Sequence, residues 1–175
     1  MDLGIKGKLA LVTASSGGMG RNIAHALAAE GANVVLFARS VDKLAAAAVE
    51  IEQVHGVHAV AVAGSMTEHA DVQRLAAQLE ELGGVDIMVL VSGRPPNPLR
   101  ETLAEDDLAR WDEAYRSQLR GVIETVNAVT PQMLGRGWGR IVAVTSASAK
   151  QPMAVHALST VFRAGVTAYM KGLAN

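Results

Sequence analysis

The stretch Lys8-Leu9-Ala10-Leu11-Val12-Thr13-Ala14-Ser15-Ser16-Gly17-Gly18-Met19-Gly20 decides the fold. Lys8–Thr13 is a short apolar run bounded by Gly7 and a Ser/Gly cluster, which reads as a buried strand. From Gly20 to Glu30 the apolar residues fall at helical spacing, and Gly31 is placed to cap that helix. Glycines at such a join let the backbone approach a phosphate, and the helix N-terminus beyond them offers free N–H groups and a positive dipole end. The strict G-x-G-x-x-G spacing fails, because Ile23 stands where the third glycine would be. A glycine cluster alone also fits an ordinary tight turn. A strand before it, a helix after it and a β continuation favour a dinucleotide-binding βαβ unit.

Outward from this unit, strand and helix patterns alternate. Strands are expected at Asn33–Ala38, His58–Ala63, Asp86–Val91 and Arg140–Thr145. Helices are expected from Ser40, a candidate N-cap, to Val54, from Thr67 to Leu82, over Leu108–Leu134 and over Ala157–Leu173. Near-continuous apolar strands belong to a parallel sheet covered by helices on both faces. The expected fold is α/β, a Rossmann-like doubly wound sheet in the order 3-2-1-4-5. A site then forms in the loops beyond the C-terminal strand ends.

Composition removes several function classes. The 175 residues carry 16 basic and 17 acidic side chains, a balance unlike that of a strongly basic nucleic-acid binder. There is no cysteine, so disulfides, thiolate catalysis and cysteine–zinc sites are out. Aromatic residues make up only 3%, too few for a base-stacking platform. No apolar run approaches the length of a membrane span, and Met1–Lys6 lacks a signal-peptide core. The expected setting is the cytoplasm, with neither nucleic acid nor membrane as partner. The histidines show no metal-ligand spacing with carboxylates, so no metal site is expected.

The end of the second strand bears on the cofactor. An acidic residue there would accept a ribose 2′-hydroxyl of NAD, but the sequence has Phe37-Ala38-Arg39-Ser40. Arg39 and Ser40 suit a 2′-phosphate, which favours NADP(H) over NAD(H). An arginine at this place is also compatible with a plain solvated surface.

At this point the chain resembles the short-chain dehydrogenase/reductase family, and within it the 3-oxoacyl-carrier-protein reductases. Thr13–Gly20 matches the family's T-G-x-x-x-G-x-G, with Ala14 in place of the first glycine. Trp111–Gly121, Gly139–Ala149, Arg163–Val166 and Lys171–Ala174 also read as family blocks. The resemblance implies a cofactor site of Thr13, Ala14, Ser15, Ser16, Gly18, Met19, Gly20, Arg39, Ser40, Ser65, Met66, Ser92, Gly93 and Arg163. It implies a catalytic set of Ser146, Ser159, Arg163 and Gln118. It also implies a homo-oligomer, a dimer or tetramer, formed through the helices at 108–134 and 157–173.

The departures from the family carry the chemistry. Ser65 stands where an adenine-contacting Asp is usual. Leu90-Val91-Ser92-Gly93 keeps only the glycine of N-N-A-G. Gln118 replaces the active-site Asn, Ser159 the catalytic Tyr, and Arg163 the Lys, so that Y-x-x-x-K becomes S-x-x-x-R. A serine hydroxyl is a poorer proton source than a phenol. Arginine holds its proton at ordinary pH, yet its fork could engage ribose hydroxyls or a carboxylate. His156, three residues before Ser159, has the right chemistry for proton transfer near neutrality, and is equally a pocket-lining residue. The expectation is an NADP(H)-dependent oxidoreductase for a small carbonyl or alcohol, with an altered proton donor. Two alternatives stand beside it: a redox-silent NADP binder, and an isomerase or lyase reusing the pocket. Family members commonly reach about 250 residues, so residues 1–175 are expected to form one cofactor domain lacking its C-terminal strands. The fifth strand would then lie at a sheet edge.

Overall fold

Each apolar run becomes a strand of one parallel sheet. A computed structural model describes residues 2–175. The strands are β1 (Leu9–Thr13), β2 (Asn33–Ala38), β3 (Ala59–Ala63), β4 (Ile87–Leu90) and β5 (Arg140–Ala143). Between and after them run α1 (Gly18–Ala29), α2 (Val41–His55), α3 (His69–Glu81), α4 (Leu108–Tyr115), α5 (Gly121–Gly135) and α6 (Ala157–Leu173). The order is β3-β2-β1-β4-β5 with every pair parallel, the doubly wound topology expected.

Successive strand residues point to opposite faces, so β1 feeds two cores. Leu11, with Val35 and Met88 beside it, packs on Leu75, Leu79, Val126 and Val129 of α3 and α5. Ala10 and Val12 pack with Val34 and Leu36 against Ala24, Ala28, Leu44, Ala47 and Ile51 of α1 and α2. Alanines on α1 and α2 bring those helices close to the sheet. The tight fit anchors the loop between β1 and α1.

Two helices differ from the sequence reading. Leu108–Leu134 is not one regular helix, because a π turn occupies Arg116–Arg120 between α4 and α5. The widened turn holds Gln118, which is fully buried. The chain then passes so near the loop after β3 that a Cβ on Gly121 would lie 2.7 Å from the Met66 carbonyl oxygen. The helix expected from Thr67 begins at His69. Asp71 accepts the Ser65 N–H at 2.9 Å and pairs with Arg74 at 2.7 Å, holding residues 65–68 as a turn. That N–H bond, seconded by Arg74, keeps the Asp71 carboxyl below its ordinary range.

At the other end of the sheet, β5 pairs only with β4 among the described residues, and Val142 is 52% exposed. No helix of the described residues is long and apolar enough to cross a membrane.

Candidate cofactor site and active site

The loop between β1 and α1 divides its residues into anchors and cleft-facing groups. Thr13 is fully buried. Its hydroxyl donates to the Val91 carbonyl and accepts the Val91 N–H, both at 2.8 Å, tying the ends of β1 and β4 together. Ser15 is also buried, its hydroxyl donating to the Val12 carbonyl at 2.8 Å. Ala14 and Ser16 face the cleft. Gly20 is needed for closeness, since a Cβ there would lie 2.5 Å from the Ala14 carbonyl oxygen. Gly18 is needed for conformation, at φ +54°, and a Cβ on it or on Gly17 would meet no protein atom within 4 Å. Open space therefore lies before the first N–H groups of α1, where a phosphate would be held. Met19 is 58% exposed beside it.

The cleft has a volume of about 940 Å³ and opens over the C-terminal strand ends. Arg39, Ser40 and Lys43 line it where β2 passes into α2, and Ser65, Met66, Ser92 and Gly93 line it from β3 and β4. Ser40 takes the N-cap position of α2 without a side-chain capping bond. Lys43 was not singled out by sequence, although it lies one turn beyond Arg39 on the helix that Ser40 opens. The Ser65 hydroxyl shares a 2.8 Å hydrogen bond with that of Thr67. The cleft fits a dinucleotide in two ways. It offers unobstructed glycine backbone at a helix N-terminus, and a cationic group where an NAD site would carry an acidic residue.

The catalytic set assembles only in part. Gln118 and Arg163 are brought together, with Arg163 Nε donating to Gln118 Oε1 at 3.3 Å. The other two guanidinium nitrogens donate to the Val144 carbonyl at 2.8 Å and the Gly93 carbonyl at 2.9 Å. Arg163 is 9% exposed, and burial pulls its pKa below the ordinary arginine value. Its hydrogen-bond partners are all neutral. The Ser146 hydroxyl shares a 2.9 Å hydrogen bond with Ser148, and not with Ser159 or His156. Ser159 is buried one turn before Arg163 on α6. His156 caps the start of α6 with its Nδ1 buried and unpartnered, as are Gln118 Nε2 and Ser92 Oγ. Lys150 is exposed at the rim of this loop. Tyr115 packs against Phe162, and the Tyr169 hydroxyl donates to Asn127, so neither stands in for the missing tyrosine.

Sequence reasoning missed the device that shapes the proline loop over this end. Arg110 forks onto both carboxylate oxygens of Glu105, at 2.5 and 2.9 Å. The same guanidinium donates to the carbonyls of Pro96, Asn97 and Pro98. Thr102 then donates to the Ala154 carbonyl at 3.0 Å, joining this loop to the segment before α6. The Arg110 bonds hold the Glu105 carboxyl below its ordinary range. The five-residue spacing of Glu105 and Arg110 gave no warning that the same guanidinium also reaches the carbonyls of the proline loop.

Comparison with known proteins adds a family match and three similar proteins. The pattern of the short chain dehydrogenase family matches residues 8–175. A 3-oxoacyl-[acyl-carrier-protein] reductase of Staphylococcus epidermidis is 36% identical over 141 residues, covering 79% of this chain and 56% of that protein. An L-sorbose reductase of Gluconobacter frateurii, solved with NADPH and L-sorbose, superposes with a TM-score of 0.93 at 33% identity, over 99% of this chain and 65% of that one. An actinorhodin polyketide ketoreductase variant solved with NADPH gives 0.87 at 30%, over 95% and 64%. The chain thus spans little more than half the length of the staphylococcal reductase and just under two thirds of the two solved structures.

Proposed function

The chain belongs to the short-chain dehydrogenase family, and from that premise we propose that it binds NADP(H) in preference to NAD(H) and works as an oxidoreductase on a small carbonyl or alcohol substrate. One observation carries the cofactor reading. Arg39, Ser40 and Lys43 line the same cleft onto which the glycine loop opens. Two cations and a hydroxyl there favour a 2′-phosphate, which would repel the acidic residue of an NAD site. The relatives solved with NADPH support it.

The N–H groups at Gly17 and Gly18 would hold the pyrophosphate. Ser65 and Met66 would border the adenine, and Ser92 and Gly93 would border the middle of the cofactor. When bound, the nicotinamide supplies or accepts a hydride. The chain must supply the proton by another route than the family's tyrosine. Ser146 and Ser159 can orient a substrate oxygen as hydrogen-bond donors, and His156, with a free ring nitrogen, exchanges the proton. Arg163 keeps Gln118 and the β4 and β5 ends in place around them. A homo-oligomer formed through residues 108–134 and 157–173 fits the exposed Leu108, Tyr115 and Val161 on those helices, and a cytoplasmic setting completes the reading.

NADPH fluorescence titration followed by a panel of carbonyl substrates tests this. Binding with oxidation of NADPH supports the proposal, and His156→Ala should then lower turnover at least tenfold with the cofactor Kd unchanged. Turnover left intact by that variant removes His156 from the chemistry. Binding without oxidation of any substrate supports the second reading, a redox-silent NADP binder. That reading is favoured by the neutral, fully engaged partners of Arg163. Absence of binding to either nicotinamide cofactor overturns both.

A further inference from the structure

Away from the cleft, α1 and α2 bring together side chains that the cofactor reading does not use. We propose that His25 and His55 form a binding site for a late first-row divalent cation, zinc or copper(II), with Glu50 holding His25 in its ligating orientation. None of the three lines the cofactor cleft.

Small side chains make the meeting possible. Ala24 and Ala28 of α1 and Ala47 and Ala48 of α2 are buried in one core, so the two helices pack closely and the residues beside them meet. His25 Nδ1 lies 3.1 Å from His55 Nε2, and the rings cross at 69°. The expectation of no metal site rested on spacing along the chain, which cannot register two rings 30 residues apart. At most one hydrogen fits between the two nitrogens, so at least one of them presents a bare lone pair. The other nitrogen of His25, Nε2, faces Glu50 Oε1 at 3.5 Å, and the second oxygen of that carboxylate accepts from Arg21. A carboxylate on the far nitrogen keeps the proton there and leaves Nδ1 free to ligate, as behind metal-bound histidines generally.

The spacing of the nitrogens suits an ion. An imidazole nitrogen binds zinc at about 2.0–2.1 Å, so two such bonds at a tetrahedral angle place their nitrogens about 3.3 Å apart. A right angle, as in tetragonal copper(II), places them about 2.9 Å apart. The observed 3.1 Å lies between these values, so an ion replaces the shared hydrogen with little movement of the rings. No three His, Cys, Asp or Glu side chains converge to hold a metal among the described residues, so water completes the coordination. Both rings are half-buried, and water can therefore reach them. Two nitrogen donors with no carboxylate between them select zinc or copper(II) over magnesium or calcium, which take oxygen ligands. The bound ion clips α1 to α2.

Isothermal titration of zinc chloride and of copper sulfate into the untagged 175-residue chain tests the site. One equivalent of either ion should bind, copper(II) more tightly than zinc. His25→Ala and His55→Ala should each abolish that event, Glu50→Gln should weaken it about tenfold, and His58→Ala should leave it unchanged. Should the alanine variants misfold, copper(II) broadening of the wild-type amide NMR signals decides, with residues 22–28 and 52–58 expected to broaden first. Broadening centred elsewhere overturns the site. So does equal binding by the wild type and either the His25 or the His55 variant, which marks an adventitious ion only. Absence of binding at millimolar zinc and copper(II) overturns it as well, and leaves the two rings as a hydrogen-bonded pair.

Discussion

At the scale of single residues, the loop after β1 stores strain in one place and forbids bulk in another. Ala14 sits at φ +51°, a left-handed conformation that an L side chain adopts at a cost of about 1–2 kcal/mol. Ala14→Gly removes that cost and adds back about 0.4–1 kcal/mol of unfolded-chain entropy. It should raise stability by up to about 1 kcal/mol, read as a rise in Tm of about 2–4 °C in a thermal melt. Gly20→Ala acts oppositely. Its Cβ would lie 2.5 Å from the Ala14 oxygen and 2.9 Å from the Thr13 oxygen, both backbone atoms. The loop must shift, so the variant should lose about 1–3 kcal/mol and bind NADPH more weakly. Arg39→Ala should weaken NADP+ about 10–100-fold and leave NAD+ unaffected, the signature of a lost charge-assisted contact to a 2′-phosphate. Equal losses for both cofactors would place Arg39 elsewhere in the binding.

Among the elements, two loops are held by depressed carboxylates, and their acid sensitivity follows. Asp71 is held low by the Ser65 N–H and then by Arg74, and Glu105 by Arg110. Each carboxyl binds its proton more weakly folded than unfolded. Each contribution is therefore complete above the ordinary values of 3.8 for aspartate and 4.5 for glutamate, and fades as the pH falls through the lower folded values. Hydrogen exchange should show residues 65–68 and 94–104 loosening in acid before the β1–β4 sheet does. Glu105→Gln keeps the shape but removes the charge that faces Arg110. It should speed exchange in residues 94–104 at neutral pH without altering exchange in β1. Unchanged exchange in that loop would show that backbone packing, rather than Arg110, holds it.

At the scale of the whole 175-residue chain, β5 is a sheet edge among the described residues. A strand edge presents unpaired N–H and C=O groups that can template association. Here the edge is bordered by Ile141, Val142, Met170 and Leu173, along a groove of about 590 Å³. Val142→Lys places a charge on that edge. It should reduce concentration-dependent light scattering of the 175-residue chain while leaving NADPH binding unchanged, because the cleft lies at the C-terminal strand ends.

The apolar runs and the glycine join were enough to determine the strands and their parallel pairing, while the strand order followed from the resemblance to a dinucleotide-binding fold. Alternation between faces and loop chemistry are local properties that survive in any compact arrangement of this chain. The same holds for Arg39-Ser40, whose place follows from being next to β2. The long helix at 108–134 was legible as apolar periodicity, but its π turn was not, since the turn answers to Met66 and to the buried Gln118 across the fold. Ser159 and Arg163 announced their departure from Y-x-x-x-K in sequence. Only the tertiary structure decided what Arg163 does with its fork, because its acceptors lie 19, 45 and 70 residues away. The Arg110 staple is nearer in sequence, its carbonyl acceptors lying 12 to 14 residues back, but it too forms only where the proline loop folds over α4. A side chain's partner is set by which strand ends and loops converge, and convergence is a property of the folded chain rather than of any segment of it.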